Sequence, residues 1–223
     1  MKIENCIGCK ILRRLNRFVV EVEVSGKVEK AYINNTGRLN ELIFKGNAGL
    51  CLKKYHGKTP YRLFAIKCED GYALIDTRFQ MQVFEENAWK IPWIGCKYYK
   101  KEVKVGNSRI DYLFRCGEDT FVELKSAALK SGRYAMYPDC PTLRGRKHVE
   151  EMMRLSEMGW RAVIAFIAAV PNVEAFKPNR EADPKLYRML EDAEKRGVEL
   201  KAVHVEYECG NVVMKNYDLK VEL

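Results

Sequence analysis

The chain has 223 residues, enough for one large domain or two small ones with a workable hydrophobic core. Lysine and arginine number 39 against 30 acidic residues, a net charge of +9. The charge alone is equally compatible with a polyanionic partner such as nucleic acid and with a basic surface that has no such partner. The longest apolar stretch, 162–170, is too short to span a membrane, and residues 1–5 lack the apolar core of a signal peptide. We therefore expect a cytoplasmic protein without a membrane partner.

Eight cysteines are spread along the chain. Only Cys6 and Cys9 form a CxxC pair, and no second CxxC or CxxH completes a zinc site. Most of the others lie in apolar, strand-like runs. We predict reduced and mostly buried thiols, with a redox or metal role for Cys6 and Cys9 as the alternative.

Residues 1–80 have the sequence pattern of a small β-barrel. Alternating polarity and Gly/Asn turns predict strands at 18–24, 28–33, 50–53, 61–69 and 72–76. Ser25-Gly26 and Asp70-Gly71 are typical of hairpin turns. Five short strands with a charged surface predict an OB-like, nucleic-acid-binding domain, although unrelated barrels fit the same pattern.

Residues 81–223 predict a domain that mixes helices and strands. Helices are expected at 82–90, 143–158 and 184–196, the second capped by Thr142 and the third begun by Pro184. Strands are expected at 98–105, 110–115, 120–125, 162–170 and 198–206. This order predicts an α/β (α+β) domain with a mixed sheet and a covered core.

Two consecutive strands carry the candidate catalytic residues. A hairpin that turns near Gly117 brings Asp111 beside Glu123, and strand alternation places Glu123 and Lys125 on one face. Neighbouring carboxylates repel each other unless a cation lies between them, so we predict a Mg²⁺ or Mn²⁺ site. Lys125 is expected to position a water molecule or to stabilise charge on a phosphate.

The acid-x-Lys triplet alone has little specificity. It recurs at Glu102/Lys104, Asp183/Lys185, Glu199/Lys201 and Asp218/Lys220. The context favours Glu123/Lys125, because a strand with Asp111 precedes it and a basic, turn-rich segment and a helix follow it. A solvated strand face with an ordinary ion pair is the alternative.

The second predicted helix adds candidates to the same site. His148 and Glu151 fall on one stripe of that helix, so we assign both as catalytic residues beside Asp111 and Glu123. A simple pairing of His148 with Glu151 is the alternative. Asp139, just before the helix, is assigned as a further metal ligand, with a turn as its other explanation.

Two segments are candidates for binding nucleic acid. Arg144 and Lys147 lie near the start of the second predicted helix, where the helix dipole also favours phosphate. Asn35, Thr36 and Arg38 surround a glycine in a polar loop of the first domain, where a backbone can approach a ligand closely. A tight turn explains that loop equally well.

At these positions the sequence resembles the sugar fermentation stimulation protein A family along nearly its whole length. The matching blocks are residues 35–39, 109–111, 122–126, 138–142, 144–145, 147–148, 151, 183–184 and 197–199. The resemblance implies an OB-like first domain and a PD-(D/E)xK nuclease-like second domain. It makes Asp111 and Glu123 metal ligands and Lys125 the catalytic lysine, with Ile110 where the motif has proline. It also implies DNA binding linked to sugar utilisation.

Three functions are compatible with these features. The first is a metal-dependent nuclease acting on DNA or RNA, with DNA as the expected substrate. The second is a non-enzymatic DNA-binding regulator of sugar metabolism with a vestigial metal site, whose binding is mostly phosphate-driven. The third is an enzyme acting on a phosphorylated sugar or nucleotide.

Overall fold

The computed structural model of the chain describes residues 1–106 and 108–223. The strands of the described residues are β1 (Ile7–Asn16), β2 (Val19–Val24), β3 (Lys27–Tyr32), β4 (Ala48–Lys53), β5 (Tyr61–Cys68), β6 (Gly71–Leu74), β7 (Tyr99–Val105), β8 (Ser108–Cys116), β9 (Glu118–Ala127), β10 (Leu129–Ser131), β11 (Tyr134–Tyr137), β12 (Arg161–Ala168), β13 (Ala175–Pro178), β14 (Glu199–Glu208), β15 (Asn211–Asn216) and β16 (Lys220–Val221). The helices are α1 (Thr77–Asn87), α2 (Leu143–Glu157) and α3 (Pro184–Lys195). No helix in these two ranges is long and apolar enough to cross a membrane.

Strands β1 to β5 form a closed barrel. The order is β3-β2-β1-β4-β5, and a parallel pairing between β3 and β5 closes it. Ile11, Val20 and Val22 are fully buried inside. Ser25 and Gly26 both have positive φ, as the turn between β2 and β3 requires. The predicted OB-like domain is confirmed.

The predicted set of barrel strands was wrong for two strands. It left out β1 and counted β6, which extends β5 as a hairpin outside the closed circuit. The ladder of β1 with β2 is irregular between Ile11 and Arg13 and between Arg14 and Asn16. Such bulges break the alternation of polarity on which a strand prediction depends.

The second domain is built on a six-stranded mixed sheet in the order β15-β14-β12-β9-β8-β7. The β9–β12 and β12–β14 pairs are parallel, and the others are antiparallel. Tyr112 and Val122 of the sheet share an apolar cluster with Phe84 of α1. Ile164 shares a different cluster with Met152 of α2. The sheet is therefore covered on both faces, which confirms the predicted α/β (α+β) domain with a mixed sheet and a covered core.

Two of the helices agree closely with prediction. The Thr142 hydroxyl caps α2 by accepting the Gly145 N–H, and Pro184 occupies the first turn of α3. Helix α1 begins earlier than expected because the Asp76 carboxylate accepts two N–H groups of its first turn. The predicted domain boundary between residues 80 and 81 falls within this helix. A small second sheet, β10-β11-β13-β16, was not predicted, since its strands are short.

One prediction about cysteine was wrong. Cys96 and Cys116 form a disulfide, with their Cα atoms 5.7 Å apart. Cys116 ends β8, and Cys96 reaches it from the loop after α1, so the pairing depends on tertiary structure that spacing does not reveal. The CxxC thiols point to different neighbours: Cys6 contacts the Tyr207 hydroxyl, and the buried Cys9 sulfur lies 3.3 Å from that of Cys51.

Candidate functional site

The hairpin of β8 and β9 sets the position of the acidic pair. Tyr112 is paired with Val122, so the preceding Asp111 comes opposite Glu123. The Asp111 N–H donates to Oε2 of Glu123 at 3.3 Å, and the Leu124 N–H donates to Oδ2 of Asp111 at 2.8 Å. Each carboxylate thus accepts a backbone N–H of the opposite strand. The predicted proximity of Asp111 and Glu123 is confirmed.

The two carboxyl groups have unequal electrostatic environments. Burial, and next the charge of Glu123, raise the pKa of Asp111 to about 6. Burial also acts to raise the pKa of Glu123, but Lys125 and His148 outweigh it, and the pKa is lowered. The neighbouring Lys125 and His148 therefore stabilise the charged form of Glu123. The repulsion between the two carboxylates instead destabilises the charged form of Asp111.

Lys125 and His148 supply that compensation. Lys125 Nζ donates to Oε1 of Glu123 at 2.6 Å and lies 3.2 Å from Nδ1 of His148. The same Nδ1 contacts Oε1 of Glu123. Burial acts to lower the pKa of Lys125, but the surrounding groups, Glu123 first among them, together outweigh it, so the pKa is raised and the ammonium stays charged.

The position of His148 depends on how α2 is anchored. The fully buried Asp183 caps α3, and its Oδ2 accepts the Thr142 N–H at 3.0 Å. Asp183 also binds the Arg146 guanidinium at 2.7 Å. These bonds fix the first turn of α2 against α3. The sequence marked the start of α3 through Pro184, but it gave no sign of the Asp183–Arg146 pair.

The acidic pair and Lys125 lie in the wall of a cavity of about 780 Å³ between the two domains. The barrel contributes the turn after β1 and a loop after β3. The second domain contributes the first turns of α1 and α2 together with β9 and β11. The main side chains of this wall are Phe18, Asn34, Asn35, Thr36, Gln80, Asp111, Glu123, Lys125, Tyr137, Asp139, Arg144 and His148.

Arg14 joins the two segments that the barrel contributes to the cavity wall, a role that was not predicted from the sequence. Its guanidinium donates to the carbonyls of Arg17 at 3.0 Å, Asn35 at 3.4 Å and Arg38 at 2.6 Å, and also to that of Gly37. One side chain thus bridges the turn after β1 and the loop after β3. An arginine in a strand is too ordinary a pattern to signal this role.

The structure brings together most of the predicted site residues. The cavity wall includes Asp111, Glu123, Lys125, His148, Asn35, Thr36 and Arg144. Within the described part of the chain, it does not include Arg38, Lys147 or Glu151. The Glu151 carboxylate instead pairs with Arg154 at 3.2 Å and lies against Gly106.

Asp139 belongs to the cavity wall, but its carboxylate is used in a domain contact. Its Oδ2 accepts the Leu39 N–H at 2.6 Å, and both oxygens lie against Gly37. Over residues 1–106 and 108–223, no group of three or more His, Cys, Asp or Glu side chains forms a metal cluster. Asp139 is therefore not gathered with Asp111 and Glu123 as a third ligand. The remaining pair still fits Mg²⁺, which one or two carboxylates commonly bind together with water.

The protein is of a two-domain class in which a closed OB barrel is joined to a mixed-sheet domain. An acidic pair and a lysine of the second domain lie in the wall of the cavity between the two. The model described as "SfsA N-terminal OB domain" matches residues 12–75, and that described as "Sugar fermentation stimulation protein RE domain" matches residues 74–211. The chain belongs to the sugar fermentation stimulation protein family.

Similar proteins agree over the full length. A sugar fermentation stimulation protein homolog of Archaeoglobus fulgidus is 56% identical over 220 residues, which cover 99% of this chain and 97% of that protein. The Pyrococcus furiosus homolog is 43% identical, over 100% of this chain and 99% of that protein. A solved structure of Pyrococcus furiosus SfsA in complex with Ca²⁺ has a TM-score of 0.95 at 43% identity, covering 100% of this chain and 98% of that one. These similarities confirm the family and the fold.

Proposed function

We propose that this protein is a cytoplasmic, metal-dependent phosphodiesterase that cleaves nucleic acid, with DNA preferred to RNA. The observation that supports this most is the convergence of Asp111, Glu123 and Lys125 on one cavity between two domains. An OB barrel on one side offers a surface for a strand, and the acidic pair on the other offers chemistry for its phosphate.

The donor set of the site suits a hard divalent cation such as Mg²⁺ or Mn²⁺. Asp111 and Glu123 are held side by side, and the raised pKa of Asp111 reflects burial and a repulsion that a cation relieves. A relative 43% identical to this chain was solved with Ca²⁺, another cation that prefers oxygen ligands. A divalent cation held there supplies Lewis-acid stabilisation of the charge that develops on a phosphate.

The protein's own groups orient the substrate and stabilise charge. The Lys125 ammonium donates a hydrogen bond to Glu123, and we expect it to stabilise the attacking oxygen or the phosphate charge. His148 contacts the same Glu123 oxygen and keeps that carboxylate in position. Arg144, exposed at the start of α2, extends positive charge along the cavity wall, where a phosphate chain is expected to lie.

The proposal is tested by incubating the protein with DNA and with RNA in Mg²⁺ or Mn²⁺. Cleavage is expected for the wild type and not for Glu123→Ala. Glu102→Ala is a matched control. Glu102 also belongs to an acid-x-Lys triplet, but it is exposed and forms an ion pair with Arg109. Cleavage that survives in Glu123→Ala, or that is absent in the wild type, overturns the proposal.

One observation favours a binding protein without catalysis as the second candidate. The negative charge of Glu123 is already compensated by both Lys125 and His148, so this carboxylate needs no metal to offset it. A regulator of sugar metabolism that binds DNA through phosphate contacts is expected to lose affinity steeply with salt and to leave DNA intact. Salt-insensitive binding would count against this candidate.

A further inference from the structure

An exposed aromatic ring lies in the wall of the cavity, on the barrel side. Phe18 lies in the turn between β1 and β2, and 47% of it is exposed. Single exposed apolar side chains are ordinary on a protein surface. The position of the Phe18 ring in the wall of a cavity is what makes it a candidate contact for a ligand.

The backbone of Phe18 is fixed on both sides. Its N–H donates to Oδ1 of Asn16 at 2.9 Å, and its carbonyl accepts the Ile33 N–H at 2.9 Å. The Arg14 guanidinium donates to the neighbouring Arg17 carbonyl at 3.0 Å. The ring is therefore presented on a turn that is already ordered, which reduces the entropy that binding must remove.

The surroundings of the ring are cationic. The Arg17 guanidinium carbon lies 6.0 Å from the Phe18 ring centroid, and Arg144 lines the same cavity from the opposite domain. An aromatic face flanked by positive charge is the combination that binds a base by stacking and its phosphate by attraction. Binding of a phosphate alone would not involve the aromatic face of Phe18.

We propose that Phe18 stacks on an unpaired nucleobase, so that the ligand of this cavity is a single strand or an unpaired end rather than intact duplex. This inference rests on the proposed function and specifies its substrate. Bases within a duplex have their faces covered by their neighbours, and only a base outside the stack offers one to Phe18. Glu123 and Lys125 are almost wholly buried, and a flexible single strand can follow the concave wall toward them.

The test is fluorescence anisotropy with a labelled single-stranded oligonucleotide of mixed sequence and with its duplex, both in EDTA to prevent cleavage. Stacking on one base predicts that Phe18→Ala weakens single-strand binding by about 5- to 150-fold and leaves duplex binding unchanged. Phe18→Trp is expected to retain affinity. Phe44→Ala is the matched control, since Phe44 is 51% exposed on the same domain but outside this cavity wall.

Salt dependence separates stacking from charge. Phe18→Ala is expected to leave the slope of log K against log salt unchanged, and Arg17→Ala is expected to reduce it by about 1. Oligonucleotides of DNA and RNA are both used, and stacking predicts the same Phe18 effect with each.

Unchanged single-strand affinity in Phe18→Ala, or an equal loss in Phe44→Ala or with duplex, overturns this inference and leaves the nuclease proposal standing. A wild type that binds neither form in EDTA also overturns this inference, whereas the nuclease proposal is decided by the cleavage assay in Mg²⁺ or Mn²⁺.

Discussion

The Leu39 N–H donates a 2.6 Å hydrogen bond to Oδ2 of Asp139, and this bond joins the two domains at the cavity wall. The contact favours a glycine at position 37, because a Cβ there would lie 2.7 Å from Oδ1 of Asp139 and would push that carboxylate away. Asp139 therefore holds the barrel loop against the second domain, which gives a physical reason for the glycine in that loop.

Gly37→Ala is expected to displace the Asp139 carboxylate and to lower the free energy of unfolding by about 1–3 kcal/mol, the usual range for overpacking a close contact. Urea denaturation measures the change. Gly8→Ala is the control, because Gly8 lies in the same barrel and a Cβ there meets nothing within 4 Å. Equal stabilities of the two variants would show that the Gly37–Asp139 approach imposes no constraint.

The pKa of Asp111, raised to about 6, predicts a pH-dependent cost to stability. Between the ordinary pKa near 4 and the folded value, the folded protein binds more protons than the unfolded chain, so stability falls as pH rises through this window. Asp111→Asn removes the cost and is expected to raise the free energy of unfolding at pH 8 by on the order of 2 kcal/mol, with little gain at pH 4. Denaturation in EDTA at both pH values checks this. A gain that does not depend on pH would be inconsistent with a raised carboxyl pKa.

Lys125→Met is expected to destabilise the protein because it leaves the buried Glu123 carboxylate with His148 as its remaining compensation. Removing one partner of a buried ion pair costs about 3–5 kcal/mol, and the lower end is expected here. Lys201→Met is the control, since Lys201 follows Glu199 in another acid-x-Lys triplet but is 3.9 Å away from it and about one-third exposed. That change is expected to cost less than about 1 kcal/mol. Similar losses in the two variants would mean that the Glu123–Lys125 pair is not effectively buried.

The acidic site was predictable because it depends on local rules. A hairpin turn and strand alternation bring Asp111, Glu123 and Lys125 together, and helical spacing brings His148 to the same face. Glu151 lies three residues further along the same helix, but it turns to Arg154 instead of the cavity. Periodicity assigns a residue to a face and leaves its distance from a site undetermined.

The junction between the domains was much less predictable. The role of Arg14, the Leu39–Asp139 bond and the Cys96–Cys116 disulfide each depend on how separate segments meet in space. Neither residue spacing nor composition predicts such tertiary contacts. Phe18 was predicted as the first residue of a strand and lies instead in the turn that precedes β2.

The metal site between Asp111 and Glu123 is tested most directly by soaking crystals of the protein in Mn²⁺ and measuring anomalous scattering at the manganese edge. We expect a peak within coordination distance of both carboxylates in the wild type, with Lys125 beside it, and no peak there in Glu123→Ala. Absence of a wild-type peak at this position, with the Glu123–Lys125 and Glu123–His148 contacts unchanged, would contradict the metal site and favour a binding protein without catalysis.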